Sequence, residues 1–134
     1  MTDPKCARMM LGLAAKDARA LGSMQDREAF SEEVFGFHVQ QAAEKGIKAW
    51  IAVLGGLYEL THDLSDLFQG LEDCGADPRD LDRFRALARF TPYAVEYRYE
   101  GVAEWVEPID RKAAIALVAE LLEHVGAALD AVEQ

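Results

Sequence analysis

Several residue types are scarce in this chain, and each shortage removes a class of function. Only two cysteines occur in 134 residues, Cys6 and Cys74, and they form no CxxC pair. Both lie in helical apolar patterns, so they read as reduced, packed thiols rather than a disulfide framework. The three histidines, His38, His62 and His124, show no zinc-type spacing, so neither a metal nor a cofactor is expected. Four prolines and no Gly/Ser-rich or low-complexity tract leave nothing that reads as a linker, and residues 1–134 are expected to form one domain. No apolar run approaches the roughly 18 residues of a membrane span. The N-terminus, MTDPKCARMM, lacks a basic start followed by an apolar stretch, so no signal peptide is read there and the expected location is the cytoplasm. Positive charge is also in deficit: 14 Lys and Arg stand against 24 Asp and Glu, a net charge of -10. That balance disfavours non-specific binding to long nucleic acid, although a local basic pocket remains compatible with it.

What the chain does have is helical periodicity. Half of it is apolar (51%), and no segment alternates with the period of a strand. A first helix is expected from Asp3-Pro4, a cap followed by a first-turn proline, to about Leu21, with Met10, Leu13 and Ala14 inward. Ser23 three residues before Asp26 resembles a capping box and predicts a long second helix from about Asp26 to Leu54. On it, Phe35, Val39, Ala42, Ala43, Gly46, Ala49, Trp50 and Val53 share one arc, while His38, Gln41, Glu44, Lys45 and Lys48 share the other. A third helix follows Thr61-His62-Asp63, with Leu64, Leu67, Phe68 and Leu71 inward, and stops near Gly75. A fourth opens at Asp77-Pro78, carries Leu81, Phe84, Leu87 and Ala88, and is interrupted at Thr91-Pro92. Residues 98–109 read as a loop. The last helix starts near Asp110 and carries a heptad-like seam of Ile115, Val118, Leu122, Val125, Leu129 and Val132. The expected fold is all-α, an antiparallel four-helix bundle with an additional short helix.

The polar arc of the second helix carries the most chemical information. Gln41, Glu44 and Lys48 fall within about 60° of one another, flanked by His38 and Lys45. A solvated face with Glu44 and Lys48 paired at i,i+4 explains this without any ligand. A nucleotide site explains it too, with ammonium groups on phosphate and an amide on a base edge.

Three blocks then occur in order: FGFHVQQAAEKGIKAW (35–50), THDLSDLF (61–68) and YAVEYRY (93–99). Together they resemble HEPN domains, whose long helix carries an F-H-x-x-Q-x-x-E-K-x-x-K pattern. In that family the next helix opens with T-H-x-L, and a later one ends in Arg-Tyr. Glu100 stands after Arg98-Tyr99 where that family usually has proline. The resemblance implies a helical bundle that forms homodimers and a minimal nucleotidyltransferase as partner, in a toxin–antitoxin-like pair. It also implies a nucleotide site built from His38, Gln41, Glu44, Lys45, Lys48, His62 and Arg98. Ribonuclease members carry Arg, four to six residues, then His. The positions five to seven before each histidine here are Glu33, Glu32 and Ser31; Leu57, Gly56 and Gly55; and Ala119, Val118 and Leu117. None is basic, so no catalytic residue is assigned and an accessory, non-enzymatic module is the leading expectation.

Two alternatives stand beside it: a metal-independent ribonuclease toxin pairing His38 or His62 with Arg98 through tertiary packing, and a plain dimerisation scaffold. Position alone makes His62 a neighbour of a helix cap. Arg98 reads equally as an ion-pair anchor to Glu44 or Asp63. Trp105 is expected to plug the end of the bundle.

Overall fold

The computed structural model describes residues 2–134, and every regular element among them is helical. Three long helices form the frame: α1 (Pro4–Gly22), α2 (Glu32–Val53) and α6 (Arg111–Glu133). Between α2 and α6 come α3 (Leu64–Asp73), α4 (Pro78–Phe84), a 3-10 segment (Arg85–Tyr93) and the single-turn α5 (Glu96–Glu100). No helix among the described residues is long and apolar enough to cross a membrane.

Side-chain caps set most of the helix starts. Asp3 accepts from the Cys6 amide, Asp63 from Ser65, Asp77 from Arg79 and Asp110 from Ala113. Each satisfies an amide that has no partner within its own helix. The start of α2 differs from the sequence expectation. Asp26 accepts from the Glu28 and Ala29 amides and closes a turn, so the helix begins later, where Ser31 caps the Val34 amide. Pro92 and the preceding residues run as a 3-10 segment, and Thr91 turns its hydroxyl to the Leu64 amide at the start of α3. The backbone then coils again as α5, where a loop was expected from residue 98.

Residue pairings fix the directions. Asp3 meets Ala52 and Asp17 meets Lys45, so α1 lies antiparallel to α2. Trp50 packs on Phe84 and Tyr93 lies against Gly36, so the α4 and 3-10 arm is also antiparallel to α2. Arg111 reaches Glu32 while His124 packs on Trp50, which makes α6 parallel to α2. His62 meets Glu44 and Gly70 lies by Ile51, so α3 is parallel to α2 as well, returned by the strap 54–63.

α2 is central and buried around most of its circumference. Phe35, Val39, Ala42, Ala43, Ile47, Ala49, Trp50 and Val53 are all in the core, and a Cβ built on Gly46 would stand 2.8 Å from Leu122 of α6. Leu64, Leu67, Phe68 and Leu71 are buried as expected, as are Leu81, Phe84 and Leu87. On α1 the buried stripe is Ala7, Ala14 and Leu21, and Leu13 faces outward. On α6 the buried apolar set is Ala114, Val118, Leu121, Val125 and Leu129. Because α6 is covered by both α1 and α2, its stripe is turned from the expected seam, leaving Ile115 and Leu122 half-buried and Val132 exposed.

Arg111, which no sequence signal singled out, clasps the start of α6 to the 24–32 link. Its buried guanidinium donates to the carbonyls of Met24 (2.8 Å) and Phe30 (2.7 Å) and to Glu32 (2.8 Å).

Candidate functional site

The polar residues of α2 separate into two neighbouring groups. In the first, Glu44 is the acceptor at the centre. Its Oε1 accepts from Gln40 Nε2 at 2.9 Å and from His62 Nδ1 at 2.8 Å, and its Oε2 accepts from Lys48 Nζ at 2.9 Å. Gln40 also donates to the His62 carbonyl, and Gln41 donates to Gln40. Glu44 and Lys48 are only 5% and 7% exposed, so this part of the arc is covered rather than solvated. The cover is the strap 54–63, with Tyr58 lying over the Lys48 ammonium and His62 over the carboxylate. Burial opposes ionisation of Glu44, but the bonds from Gln40, His62 and Lys48 outweigh it and hold the carboxyl below its ordinary range. A carboxylate only accepts, so His62 donates from Nδ1, and in the neutral ring its Nε2 carries the lone pair. The His62 side chain is 65% exposed.

The second group is organised by Asp17 of α1. Its two oxygens receive His38 Nδ1 at 3.0 Å and Lys45 Nζ at 2.8 Å, two side chains seven residues apart on α2. Beside them Arg98 of α5 stands over Phe37, its guanidinium carbon 4.6 Å from the ring centroid, with the Tyr99 ring at 5.7 Å. Glu33, Val34, Phe37, His38 and Arg98 line a cleft of about 290 Å³. Among the described residues no carboxylate lies within ion-pair distance of Arg98, so it anchors to an aromatic face rather than to Glu44 or Asp63. Glu33, on the same cleft, is held below the usual carboxylate range chiefly by the Val102 amide.

The seven side chains singled out from the sequence therefore divide. His38, Lys45 and Arg98 gather near Asp17 and Phe37; Gln41, Glu44 and Lys48 gather with His62 of the strap. Three participants carried no usable signal, Gln40, Asp17 and Tyr58, while Phe37 opens the F-H pattern but is not among those seven. Gln40 was hidden by its neighbour Gln41, and Asp17 lies on a helix whose contact with α2 only packing reveals. Trp105, expected to plug the bundle, is instead 85% exposed.

The sequence profile of the HEPN domain matches residues 22–128. The chain belongs to the HEPN domain family. No curated protein and no solved structure gave a match. The matched span of this HEPN domain begins at the last residue of α1, so Asp17 reaches the polar stripe of α2 from outside it. His38, Arg98 and the whole Glu44 group lie within it.

Proposed function

We propose that this HEPN domain is a nucleotide-binding accessory module, acting as a homodimer with a minimal nucleotidyltransferase partner in a toxin–antitoxin-like pair. The observation that carries the nucleotide reading is Arg98. Its guanidinium packs over Phe37, has no carboxylate within ion-pair distance among the described residues, and shares one cleft with His38 and Glu33. A planar cation held in that way offers two parallel donors to a phosphate, with little side-chain freedom left to lose. In this reading His38 and Arg98 contact the ligand and Lys45 offsets the charge of Asp17, the carboxylate behind His38. Gln41, Glu44, Lys48 and His62 frame the cleft's helix rather than touch the phosphate, because Lys48 is already committed to a buried anion.

Calorimetric titration with nucleoside mono- and triphosphates tests this. Saturable binding that is lost in Arg98→Ala and kept in Lys45→Ala supports the assignment. Binding unchanged in Arg98→Ala refutes it.

A second reading, a metal-independent ribonuclease, is favoured by one observation: the Asp17–His38 pair stands at the same cleft as Arg98. A carboxylate-oriented imidazole and a nearby cation are the two groups that 2′-hydroxyl attack on a phosphodiester requires. Cleavage of RNA in metal-free buffer, abolished in His38→Ala and retained in His62→Ala, would establish it in place of the accessory role.

A further inference from the structure

The Glu44–His62 pair has chemistry that the Arg98 cleft does not use. A histidine becomes a good nucleophile when its ring is neutral, one nitrogen holds the proton against a fixed acceptor, and the other nitrogen is open. At His62 the acceptor is Glu44, 2.8 Å from Nδ1 and itself fixed by Gln40 and Lys48. The His62 side chain stands largely in solvent, and the strap residues Leu57 and Leu60 are also exposed. The nearby carboxylates are occupied: Asp63 takes the Ser65 amide and Asp66 the Thr61 hydroxyl.

The other two histidines lack this combination. His38 also faces a carboxylate, but its ring is 28% exposed and packs edge-on against Phe37. His124 lies against Trp50 and Phe84, and its nearest carboxylate oxygen, on Asp80, is 3.7 Å away.

We propose that His62 is a covalent acceptor site, taking an activated phosphoryl group onto Nε2. The lone pair of Nε2 forms the N–P bond as the bond from phosphorus to its leaving group breaks. The leaving group departs with that electron pair: a nucleoside diphosphate from a triphosphate donor, or ammonia from phosphoramidate. Positive charge that develops on the ring is met by the Glu44 carboxylate through the retained Nδ1 proton, which needs no rearrangement during the step. Gln40 and Lys48 act as positioning residues, since they keep Glu44 ionised and in place.

The test uses the full chain and phosphoramidate, a small donor that needs no partner enzyme and no nucleotide cleft, so its result is independent of Arg98. Intact mass and peptide mapping should show one phosphoryl group, on His62, formed ahead of any on His38 or His124. The rate should exceed that of N-acetylhistidine, and the linkage should be to Nε2. Glu44→Gln keeps the exposure of the ring but removes the counter-charge, and should slow the reaction roughly tenfold, the lower end of what losing such a partner costs a metal-bound histidine. A folded Glu44→Gln protein reacting at the wild-type rate overturns the proposal, because exposure alone would then explain the reactivity. Should that variant fail to fold, histidine ¹⁵N shifts of the native protein decide the matter. An Nδ1–H tautomer at His62, together with the faster rate, sustains the proposal; an Nε2–H tautomer, or reaction at Nδ1, overturns it.

Discussion

At the scale of single residues, the buried Glu44 carries most of the electrostatic risk. Its pKa is depressed in the folded chain, so the stability it contributes is complete at neutral pH and is lost as pH falls through its folded value, below the ordinary carboxylate figure of about 4.3. Urea midpoints should therefore drop between pH 5 and strongly acid solution, and drop less in Glu44→Gln, a comparison that cancels the other carboxylates. Glu44→Ala removes the acceptor entirely and strands Lys48, which should cost about 3–5 kcal/mol by the same denaturation measurement. Tyr93 acts at the other end of the scale. Burial foremost, with the charge of Glu32 behind it, pushes its hydroxyl up to about 12. The neutral ring's contribution is full below the ordinary tyrosine value near 10 and is lost as pH rises through the folded one. Tyr93→Phe should flatten that alkaline decline. Arg98→Ala belongs to a different class: its side chain rests on the surface of Phe37, so nucleotide affinity should fall by the roughly 1.5–3 kcal/mol of a charged hydrogen bond while the urea midpoint stays in place.

At the scale of elements, Gly36 offers a test with an unambiguous sign. In the middle of a helix, Gly→Ala is ordinarily stabilising by about 1 kcal/mol. Here a Cβ would collide with the Tyr93 ring, so the 3-10 segment would have to move away from α2. Gly36→Ala should instead destabilise the domain by about 1–3 kcal/mol, with near-ultraviolet dichroism reporting the displaced tyrosine. The same contrast explains what could be read in advance. Asp3-Pro4, Asp63, Asp77-Pro78 and Asp110 announced their helices because a cap is a local event, settled within three residues. Asp26 misled for the same reason: a side chain that caps a helix closes a turn equally well, and only the later Ser31 holds α2. The seam of α6 was displaced because periodicity reveals that a helix has an apolar face but not how many neighbours share it. The stripe His38 to Lys48 was visible as a pattern. Its division into two groups depended on the contacts of Asp17 with His38 and of the strap's His62 with Glu44, partners 21 and 18 residues apart.

At the scale of the whole molecule, α1 and Arg111 hold the domain together from outside its middle. The α1 helix covers more of α2 than any other element does and supplies Asp17, yet it lies almost wholly outside the span matched by the family. A chain starting at Gly22 would expose Ala52 and Val53, which pack with Ala7, and leave Lys45 without its partner. Such a truncation should lose cooperative thermal unfolding in calorimetry. Arg111→Met should cost about 3 kcal/mol or more, since the carbonyls of Met24 and Phe30 lose a charged donor in a buried place.

The parallel pairing of α2 with α6 also has a consequence for how the protein is made. Synthesis proceeds from the N-terminus, and the side of Gly46 and Trp50 that faces α6 stays uncovered until the residues around Leu121 and His124 have left the ribosome. Contacts between partners so far apart in sequence must wait for a long loop to close, which slows folding relative to a bundle of nearest neighbours. A nascent chain stalled before residue 110 should remain open to protease, and one released at full length should become resistant. In this domain the final helix is the step that commits the chain.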